Sequence, residues 1–288
     1  MNLITVVLNW NGGDDTLAAL ASLADLPVVC VDNGSTDGSP DAIAAQFPHV
    51  DLIRTGVNLG FAGGNNVGIR RALARGADWV LLLNNDATAE PGLVPALESA
   101  AAARPDAGLL ACTILEADGR TVQYAGASFR TRLGYSGRLD TTAGGGLRDV
   151  DRADGAALAV SRAAIERVGL LDESLFLYVE DVDWSLRIRD AGFAIVIVPD
   201  ARVRHAGSAA SGGGTSTTNL YYDTRNTIAV CERRAPLPRG ARGLRRAVVV
   251  SAHLAQAARH PRRRAATRAV IDGWRDARSG RLGQRSSA

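Results

Sequence analysis

The sequence predicts an α/β fold, with a mostly parallel sheet flanked by helices and a basic helical segment after it. Three observations lead to this prediction. Apolar segments alternate with helical ones through the first half of the chain, an order that favours parallel strands joined by right-handed crossovers. Several apolar segments end abruptly in polar residues. Arginines are concentrated from residue 233 onward, which marks off a second segment.

The first two predicted strands share one design. Residues 5–8 lead into the polar turn 9–12, and residues 27–31 lead into the polar turn 32–39. The predicted helices that follow them span residues 15–24 and 40–47. Because ligands of open α/β sheets bind beyond the carboxyl ends of the strands, both turns are expected to line one crevice.

A further predicted strand, at residues 81–83, ends in Asn84, Asn85 and Asp86. Its unbroken apolar character is typical of a buried strand in a parallel sheet. Asp86 is therefore expected at the position where a metal or a nucleotide binds. Helix-capping or turn residues are the alternative interpretation of these three side chains.

A later apolar stretch, residues 175–184, contains Glu180, Asp181 and Asp183. Burying unpaired charge is costly, so carboxylates within an apolar segment indicate a functional site. The start of an amphipathic helix is the alternative interpretation. The two segments together, in this order, favour the functional interpretation.

Five segments of the chain, in this order, resemble glycosyltransferase family 2, and its rhamnosyltransferase-like enzymes in particular. These segments are residues 7–12, 31–38, 58–68, 82–86 and 179–184. The resemblance implies a GT-A fold and an inverting transfer of a sugar from a nucleoside diphosphate sugar. It places the glycosyltransferase domain at residues 1–235 and leaves residues 236–288 as a basic helical tail.

The resemblance implies a donor site along the strand ends. Its expected members are Asn9, Asn11, Asp32, Asn58, Gly60, Asn66, Asn84, Asn85 and Asp86. Asp32 is expected to hydrogen-bond the nucleobase, which favours a dTDP- or UDP-sugar, with dTDP-rhamnose as the candidate donor. A simple turn is the alternative at residues 32–35, because Asp, Asn, Gly and Ser dominate turns.

The resemblance also implies a divalent cation, Mn²⁺ or Mg²⁺, with Asp86 and His205 as its protein ligands. A cation would stabilise the diphosphate leaving group as a Lewis acid. The family motif usually has two aspartates around one residue, whereas this chain has Asn84 at the first position. An amide oxygen is a neutral ligand, so weaker metal affinity is expected, with Asn84 turned toward the ribose or water.

Asp181 is the predicted general base, because an aspartate with its ordinary pKa of about 3.9 is ionised at neutral pH. Glu180 is expected to hydrogen-bond the acceptor, and Asp183 to pair with Arg187 one helical turn later. The residues expected to contact the acceptor or a phosphate are Asp154, Trp184 and Arg225. Pairing of Arg225 with Asp223 or Glu232 is the alternative. Further acceptor lining is expected at residues 124–138.

Composition excludes several other functions. All 33 basic residues are arginine, so a phosphate-loop lysine and a lysine Schiff base are both impossible. The three cysteines are too few for a disulfide framework, and the first residues lack a signal-peptide pattern, so a cytoplasmic location is predicted. The glycines at residues 60–64 do not follow a predicted strand, which argues against a nicotinamide cofactor.

Charge divides the chain unevenly. Residues 233–288 carry fifteen arginines and two aspartates, a net charge of +13, whereas the whole chain carries +3. A linker with Pro236, Pro238, Gly240 and Gly243 is expected to precede a short apolar helix at residues 247–258. Basic clusters beside such a helix favour an anionic membrane surface, here the inner leaflet. A solvated tail is the alternative.

Other partners and functions are weaker fits. Nucleic acid is disfavoured because Trp274 is the only aromatic residue in the tail. A sugar nucleotidyltransferase shares the α/β core, but the loop at residues 9–15 lacks the basic residue it needs. A noncatalytic carbohydrate-binding protein is the other alternative. The expected acceptor is a saccharide or a polyprenyl-linked acceptor, covered during transfer by a lid at residues 206–218.

Overall fold

The computed structural model describes residues 1–138, 145–205 and 216–285, and it confirms the predicted α/β arrangement. A ten-stranded sheet forms the centre and a separate hairpin lies beside it. The strands are β1 Leu3–Asn9, β2 Val28–Asp32, β3 Asp51–Arg54, β4 Trp79–Asn84, β5 Ala87–Ala89, β6 Ala107–Leu115, β7 Val122–Tyr124, β8 Ala127–Arg130, β9 Tyr135–Arg138, β10 Arg148–Asp149, β11 Ala157–Ser161 and β12 Ala194–His205. The helices are α1 Gly13–Ala21, α2 Ser39–Gln46, α3 Gly60–Ala74, α4 Leu93–Ala103, α5 Arg162–Val168, α6 Glu180–Asp190, α7 Thr217–Arg234, α8 Arg239–Ala257 and α9 Arg263–Ser279, with a 3₁₀ turn at Glu173–Leu175.

The sheet has the order β10-β12-β6-β11-β4-β1-β2-β3. Strand β1 runs parallel to both β2 and β4, so the carboxyl ends of these three strands meet at one edge. Strand β11 runs antiparallel to β4 and to β6 and inserts between them. The sheet is therefore mixed around β11, and its parallel half is the part that the sequence predicts most directly.

Both faces of the sheet are covered. Along β1, Leu3 and Val7 pack into one apolar cluster, whereas Ile4 and Val6 pack into the cluster on the opposite face. Successive side chains of a strand point to opposite faces, so an unbroken apolar run fills two layers. A Cβ at Gly68 would collide with Val6, so glycine allows α3 to lie close against the sheet.

The basic tail packs against the rest of the protein. Ala266, Ala269 and Val270 of α9 are buried with Leu220 and Tyr221 of α7 in one apolar cluster. The alternative of a solvated tail is therefore wrong, because the apolar stripe of α9 is buried against α7. Within the described ranges, no helix has the length and apolarity needed to cross a membrane.

Two expectations about segments change. Gly240 and Gly243 lie inside α8, so the connection between α7 and α8 is limited to residues 235–238. The predicted lid falls largely outside the described residues, which resume at Ser216. Ser216 caps α7 by accepting a hydrogen bond from the backbone N–H of Asn219 at 3.1 Å.

Candidate active site

A cavity of about 750 Å³ opens where the ends of β1 and β4 meet α3, α6 and the segment before α6. Most of the predicted site residues line it, as the topology of an open α/β sheet requires. Those in its wall are Asn58, Gly60, Asn84, Asn85, Asp86, Asp154, Glu180, Asp181 and His205. The wall also contains Leu8, Trp10, Asn33, Phe61, Gln123, Tyr124, Arg152, Gly155, Ala156, Phe176, Leu177, Tyr178, Val179, Thr218, Tyr222, Gln284 and Arg285.

Asn33 organises the turn at residues 58–60, in the part of the cavity where the donor is predicted to bind. Its Nδ2 donates to Asn58 Oδ1 and to the Gly60 carbonyl, both at 3.1 Å, and its Oδ1 accepts from the Leu59 N–H at 3.0 Å. Gly60 has a φ of +76°, and a Cβ there would collide with the carbonyl of Phe176. Only glycine fits this position without strain, because the backbone is left-handed and the neighbouring loop is in contact.

Four predicted donor-binding residues lie outside the cavity wall. Asn9 and Asp32 are buried behind it, where Asn9 Nδ2 donates to Asp32 Oδ1 at 3.0 Å. Asn11 Oδ1 accepts from the Thr36 N–H at 2.8 Å. Asn66 donates to the Leu171 carbonyl at 2.9 Å and is 1% exposed. In the structure these side chains hydrogen-bond within the fold and shape the turns around the site, and their donor-binding role stays a prediction.

Asp86 and His205 face each other in the cavity. His205 Nε2 lies 3.1 Å from Asp86 Oδ1, and Nδ1 contacts Gln123 Oε1 at 2.9 Å. Burial alone would lower the pKa of His205, but its hydrogen bond with Asp86, together with the negative charges of Asp86, Asp154 and Glu116, raises that pKa. Strand pairing between β5 and β12 brings the two residues together, because His205 lies opposite Ala87.

This pair fits two ligands of one divalent cation. Adjacent ligand atoms of an octahedral ion with bonds of about 2.1 Å are about 3 Å apart, which matches the observed separation. Within the described ranges no group of three or more His, Cys, Asp or Glu side chains surrounds one point. Mg²⁺ at nucleotide sites is often held by one or two carboxylates together with substrate phosphates, so two protein ligands are sufficient.

Asp181 and Glu180 begin α6 beside the cavity. Asp181 Oδ2 accepts from the Gly155 N–H at 3.0 Å and lies 3.7 Å from Arg152 Nη1. Burial raises the pKa of Asp181 although Arg152 opposes it, so the expectation of an ordinary pKa is wrong. Burial and the charge of Asp181 raise the pKa of Glu180 well above its usual range. Glu180 Oε2 has no hydrogen-bond partner among the described residues.

The segment before Glu180 is strained. Phe176, Tyr178 and Val179 have φ values of +66°, +63° and +72°, although none is glycine. Each such residue costs on the order of 1–3 kcal/mol, and strain of this kind clusters at functional sites. We call residues 175–179 the catalytic loop, after the role proposed for Glu180 and Asp181, the two residues that follow it at the start of α6.

Asn226 of α7 holds the catalytic loop. Its Nδ2 donates to the carbonyls of Leu175, Leu177 and Tyr178 at 2.9, 2.9 and 2.8 Å. Sequence reasoning missed this residue. The sequence signal that could have found it is a polar residue four positions from Tyr222 and from Val230, which places it on the same helical face as these two apolar side chains.

Two predicted acceptor residues have structural roles. Trp184 is fully buried in the core and donates from Nε1 to the Gly169 carbonyl at 2.8 Å, so it does not reach the cavity. Arg225 is 1% exposed and donates to the carbonyls of Leu175 and Gly283 at 2.9 and 2.7 Å. Both assignments were wrong, because a residue type within a motif does not show which face it occupies.

The ion pair expected at the start of α6 is confirmed. Arg187 Nε lies 2.7 Å from Asp183 Oδ2, and Asp183 also contacts Arg234 at 3.3 Å. Asp183 is therefore occupied within the fold, while Asp181 faces the cavity. Side chains two residues apart point in different directions on a helix, which explains why neighbouring acids in one motif have different roles.

Comparison with known proteins agrees with this fold. The profile described as "Glycosyl transferase family 2" matches residues 5–158. The N-acetylglucosaminyl-diphospho-decaprenol L-rhamnosyltransferase of Mycobacterium tuberculosis is 32% identical, over 84% of this chain and 90% of that protein. The dTDP-rhamnosyl transferase RfbF of Shigella flexneri is 26% identical, over 71% and 69% of the two chains.

Solved structures show the same architecture. The mannosyltransferase PcManGT from Pyrobaculum calidifontis, in complex with GDP-Man and Mn²⁺, has a TM-score of 0.58 at 16% identity, covering 96% of this chain and 86% of that one. S. aureus TarS 1-349 has a TM-score of 0.56 at 15% identity, covering 100% of this chain and 93% of that one. At such identities the likeness establishes the GT-A fold alone.

The fold and the relatives together define a glycosyltransferase with a GT-A fold. The chain belongs to glycosyltransferase family 2, and its relatives make it rhamnosyltransferase-like. The sugar nucleotidyltransferase and noncatalytic carbohydrate-binding alternatives are therefore set aside.

Proposed function

We propose that the protein transfers a sugar, with inversion, from a dTDP- or UDP-sugar to a hydroxyl of a saccharide on a polyprenyl-linked acceptor. One observation carries this proposal: Asp181, a partly buried carboxylate oriented by the Gly155 N–H, shares a cavity with the Asp86–His205 pair. The names of two relatives, which specify rhamnose and a diphospho-decaprenol acceptor, support dTDP-rhamnose and a lipid-linked acceptor.

The chemical step follows from these positions. The acceptor oxygen bonds to the anomeric carbon as its proton passes to Asp181, and the bond from that carbon to the diphosphate oxygen breaks. A raised pKa makes Asp181 a stronger base once it is ionised. Glu180 Oε2, which lacks a partner among the described residues, is positioned to hydrogen-bond the acceptor.

Asp86 and His205 would hold Mn²⁺ or Mg²⁺ beside the donor diphosphate. The cation supplies Lewis-acid stabilisation of the leaving group when bound. Asn58, Gly60 and Asn84 line the same cavity and would contact the nucleotide sugar. The metal role is testable without turnover, by calorimetric titration of Mn²⁺ into wild type, Asp86→Ala and His205→Ala. Asp200→Ala, which removes an exposed carboxylate, is the matched control.

A transfer assay tests the identity of the sugar donor and of the acceptor. Purified protein is incubated with dTDP-rhamnose or UDP-sugars, Mn²⁺ and a short-chain N-acetylglucosaminyl-diphospho-polyprenol, and products are separated and weighed by mass spectrometry. We expect a sugar adduct from dTDP-rhamnose, with the inverted anomeric configuration by NMR. Absence of any adduct across the donor panel would contradict the proposed reaction.

We also propose that residues 236–288 bring the domain of residues 1–235 to an anionic membrane at the inner leaflet. Arg259, Arg262, Arg263 and Arg264 form an exposed cluster in the connection from α8 to α9 and at the start of α9. Each arginine near such a surface is worth roughly 1 kcal/mol. Leu244 and Val248 are 68% and 43% exposed, but Val249 is buried, so the apolar contribution is smaller than the sequence predicts.

Liposome sedimentation tests this surface. Changing the four arginines of the cluster to glutamine should reduce binding to anionic liposomes at ~0.15 M salt. Truncation after Arg234 is unsuitable, because α9 covers α7 and the helix that holds the catalytic loop would be exposed. Equal sedimentation of wild type and the four-residue variant would contradict membrane recruitment by this cluster.

A further inference from the structure

The last described residues of the chain return to the active-site cavity. Helix α9 ends at Ser279, and Gln284 and Arg285 then form part of the cavity wall. These residues belong to the basic tail, whose other arginines are mostly on the outer surface. The end of the tail therefore occupies a different environment from the rest of it.

Three hydrogen bonds fix the backbone on both sides of Gln284. The Gly283 N–H donates to the Ser174 carbonyl at 2.6 Å, and the Gly283 carbonyl accepts from Arg225 Nη1 at 2.7 Å. The Arg285 N–H donates to the Tyr222 hydroxyl at 2.8 Å. Arg225 also binds the carbonyl of Leu175, so one side chain joins this terminal segment to the catalytic loop.

Two contacts position the Arg285 side chain, and its guanidinium still has N–H groups that can hydrogen-bond a ligand. Its guanidinium lies 4.3 Å from the centre of the Tyr221 ring, and Nη2 lies 2.9 Å from Asp272 Oδ2. The side chain remains 35% exposed. A guanidinium has five N–H donors in a planar fork, so one carboxylate contact leaves an edge for a second anion.

Arg285 is the residue of the cavity wall that can offer positive charge to an anion, as the positions of the acids and arginines show. Four acids line the wall: Asp86, Asp154, Glu180 and Asp181. Among the described residues of the wall, Arg152 and Arg285 are the arginines. Arg152 lies 3.7 Å from Asp181, so its charge already faces a carboxylate of the site. Asp272, the partner of Arg285, is outside the cavity wall.

We propose that Arg285 binds a diphosphate group of a substrate, so that the terminal segment at residues 282–285 completes the active site. The inference rests on the proposed function for its substrates. A diphosphate occurs both in the nucleotide-sugar donor and in a polyprenyl-linked acceptor, and an arginine fork matches either one. The Phe176 and Tyr222 rings, stacked at 5.6 Å, form an apolar wall beside Arg285.

The test compares Arg285→Gln with Asp272→Asn. Loss of a charge-assisted contact should weaken binding of inorganic diphosphate about 10- to 100-fold in Arg285→Gln, measured by calorimetry on the full-length protein. Asp272→Asn breaks the same ion pair but keeps the cation, so it should bind diphosphate at least as well as wild type. Arg285→Lys keeps the charge without the fork and should be intermediate, and it replaces the glutamine variant if that variant fails to fold.

Kinetics then distinguish the two sources. A raised KM for dTDP-rhamnose assigns the contact to the donor, and a raised KM for the lipid-linked acceptor assigns it to the acceptor. Weaker diphosphate binding in Arg285→Gln, with no transfer by wild type, would leave the site standing and overturn the proposed reaction. Unchanged diphosphate binding and unchanged KM values in Arg285→Gln, or an equal loss in Asp272→Asn, would overturn the inference.

Discussion

Two asparagines, one on each side of the cavity, hold the two backbone segments that shape it. Asn33 makes three hydrogen bonds to the turn at residues 58–60, and Asn226 makes three to the catalytic loop. The side chains are equally buried, at 2% and 0% exposure. They differ in what they hold, because the first turn contains a glycine at its left-handed position and the catalytic loop does not.

We call the turn at residues 58–60 the donor side of the cavity and the catalytic loop the acceptor side, after the roles proposed for them. The donor side is relaxed and the acceptor side is strained. Gly60 adopts a positive φ at little cost, whereas Phe176, Tyr178 and Val179 adopt one only because other contacts enforce it. Asn226 and Arg225 supply those contacts from α7. The acceptor side should therefore be more sensitive to changes far from the reacting atoms than the donor side.

The largest expected effect is on chemistry at the acceptor side. Asp181→Asn removes the proposed base while keeping the shape of the side chain, so turnover should fall by about 10² to 10⁴. Binding of dTDP should remain close to that of wild type, because the donor side is untouched. Single-turnover rates and calorimetry measure the two quantities separately, and turnover above a tenth of wild type would refute the assignment.

A second pair of variants tests the comparison itself. Asn226→Ala removes a hydrogen-bond donor from three carbonyls of the strained loop, of which that of Leu175 keeps Arg225, at a cost of about 1–3 kcal/mol. A displaced base can lose about 10²-fold in rate, so we expect a large loss in kcat. Asn33→Ala should instead weaken dTDP binding with a smaller change in kcat. If both variants lower kcat equally and leave dTDP binding unchanged, the two sides do not differ as described.

A third prediction concerns the packing that supports α7. A Cβ at Gly273 of α9 would collide with the carbonyl of Tyr221, so Gly273→Ala should destabilise the protein by about 1–3 kcal/mol. Gly243 of α8 has open space around it, so Gly243→Ala should stabilise by roughly 0.5–1 kcal/mol. Urea unfolding of both variants measures these free energies. Similar values for the two would show that α9 does not press closely on α7.

The smallest expected effect is a pH dependence where α8 meets α7. His253 Nε2 lies 3.1 Å from Asp223 Oδ2, and Nδ1 lies 2.9 Å from the Val249 carbonyl. Burial lowers the pKa of His253, but the hydrogen bond and the charge of Asp223, together with the Val249 carbonyl, raise the net pKa above 6.5. Burial raises the pKa of Asp223, but the hydrogen bond and charge of His253, with Thr227 and Arg152, lower the net pKa below 3.8.

The direction in which stability changes with pH follows from the pKa shifts of His253 and Asp223. The contribution of His253 is fully present below pH 6.5 and is lost as pH rises through its raised pKa, whereas that of Asp223 is lost as pH falls through its lowered pKa. We expect about 1 kcal/mol or less, since Asp223 is partly exposed. Free energies of unfolding of wild type and His253→Gln should converge at high pH. A constant difference across the range would contradict the charged pair.

The sequence by itself determined the parallel half of the sheet and the part of the cavity wall that the motif residues form. Apolar runs ending in Asn84 to Asp86, and the acids at Glu180 and Asp181, are local patterns. Strand ends of a parallel sheet necessarily meet at one edge, so these side chains converge once the strands pair. Gly60 was assigned from the family resemblance of residues 58–68, and its left-handed backbone supplies the physical reason for a glycine there.

Tertiary structure alone decided which polar residues face the ligand and which support the fold. Trp184 and Arg225 belong to recognisable motifs, yet both are buried, because the face that a helical residue presents depends on what packs against it. Asn226 reaches 48 to 51 residues back to the catalytic loop. Arg285 reaches the cavity because α9 docks on α7. Such contacts join distant segments, and no local pattern encodes them.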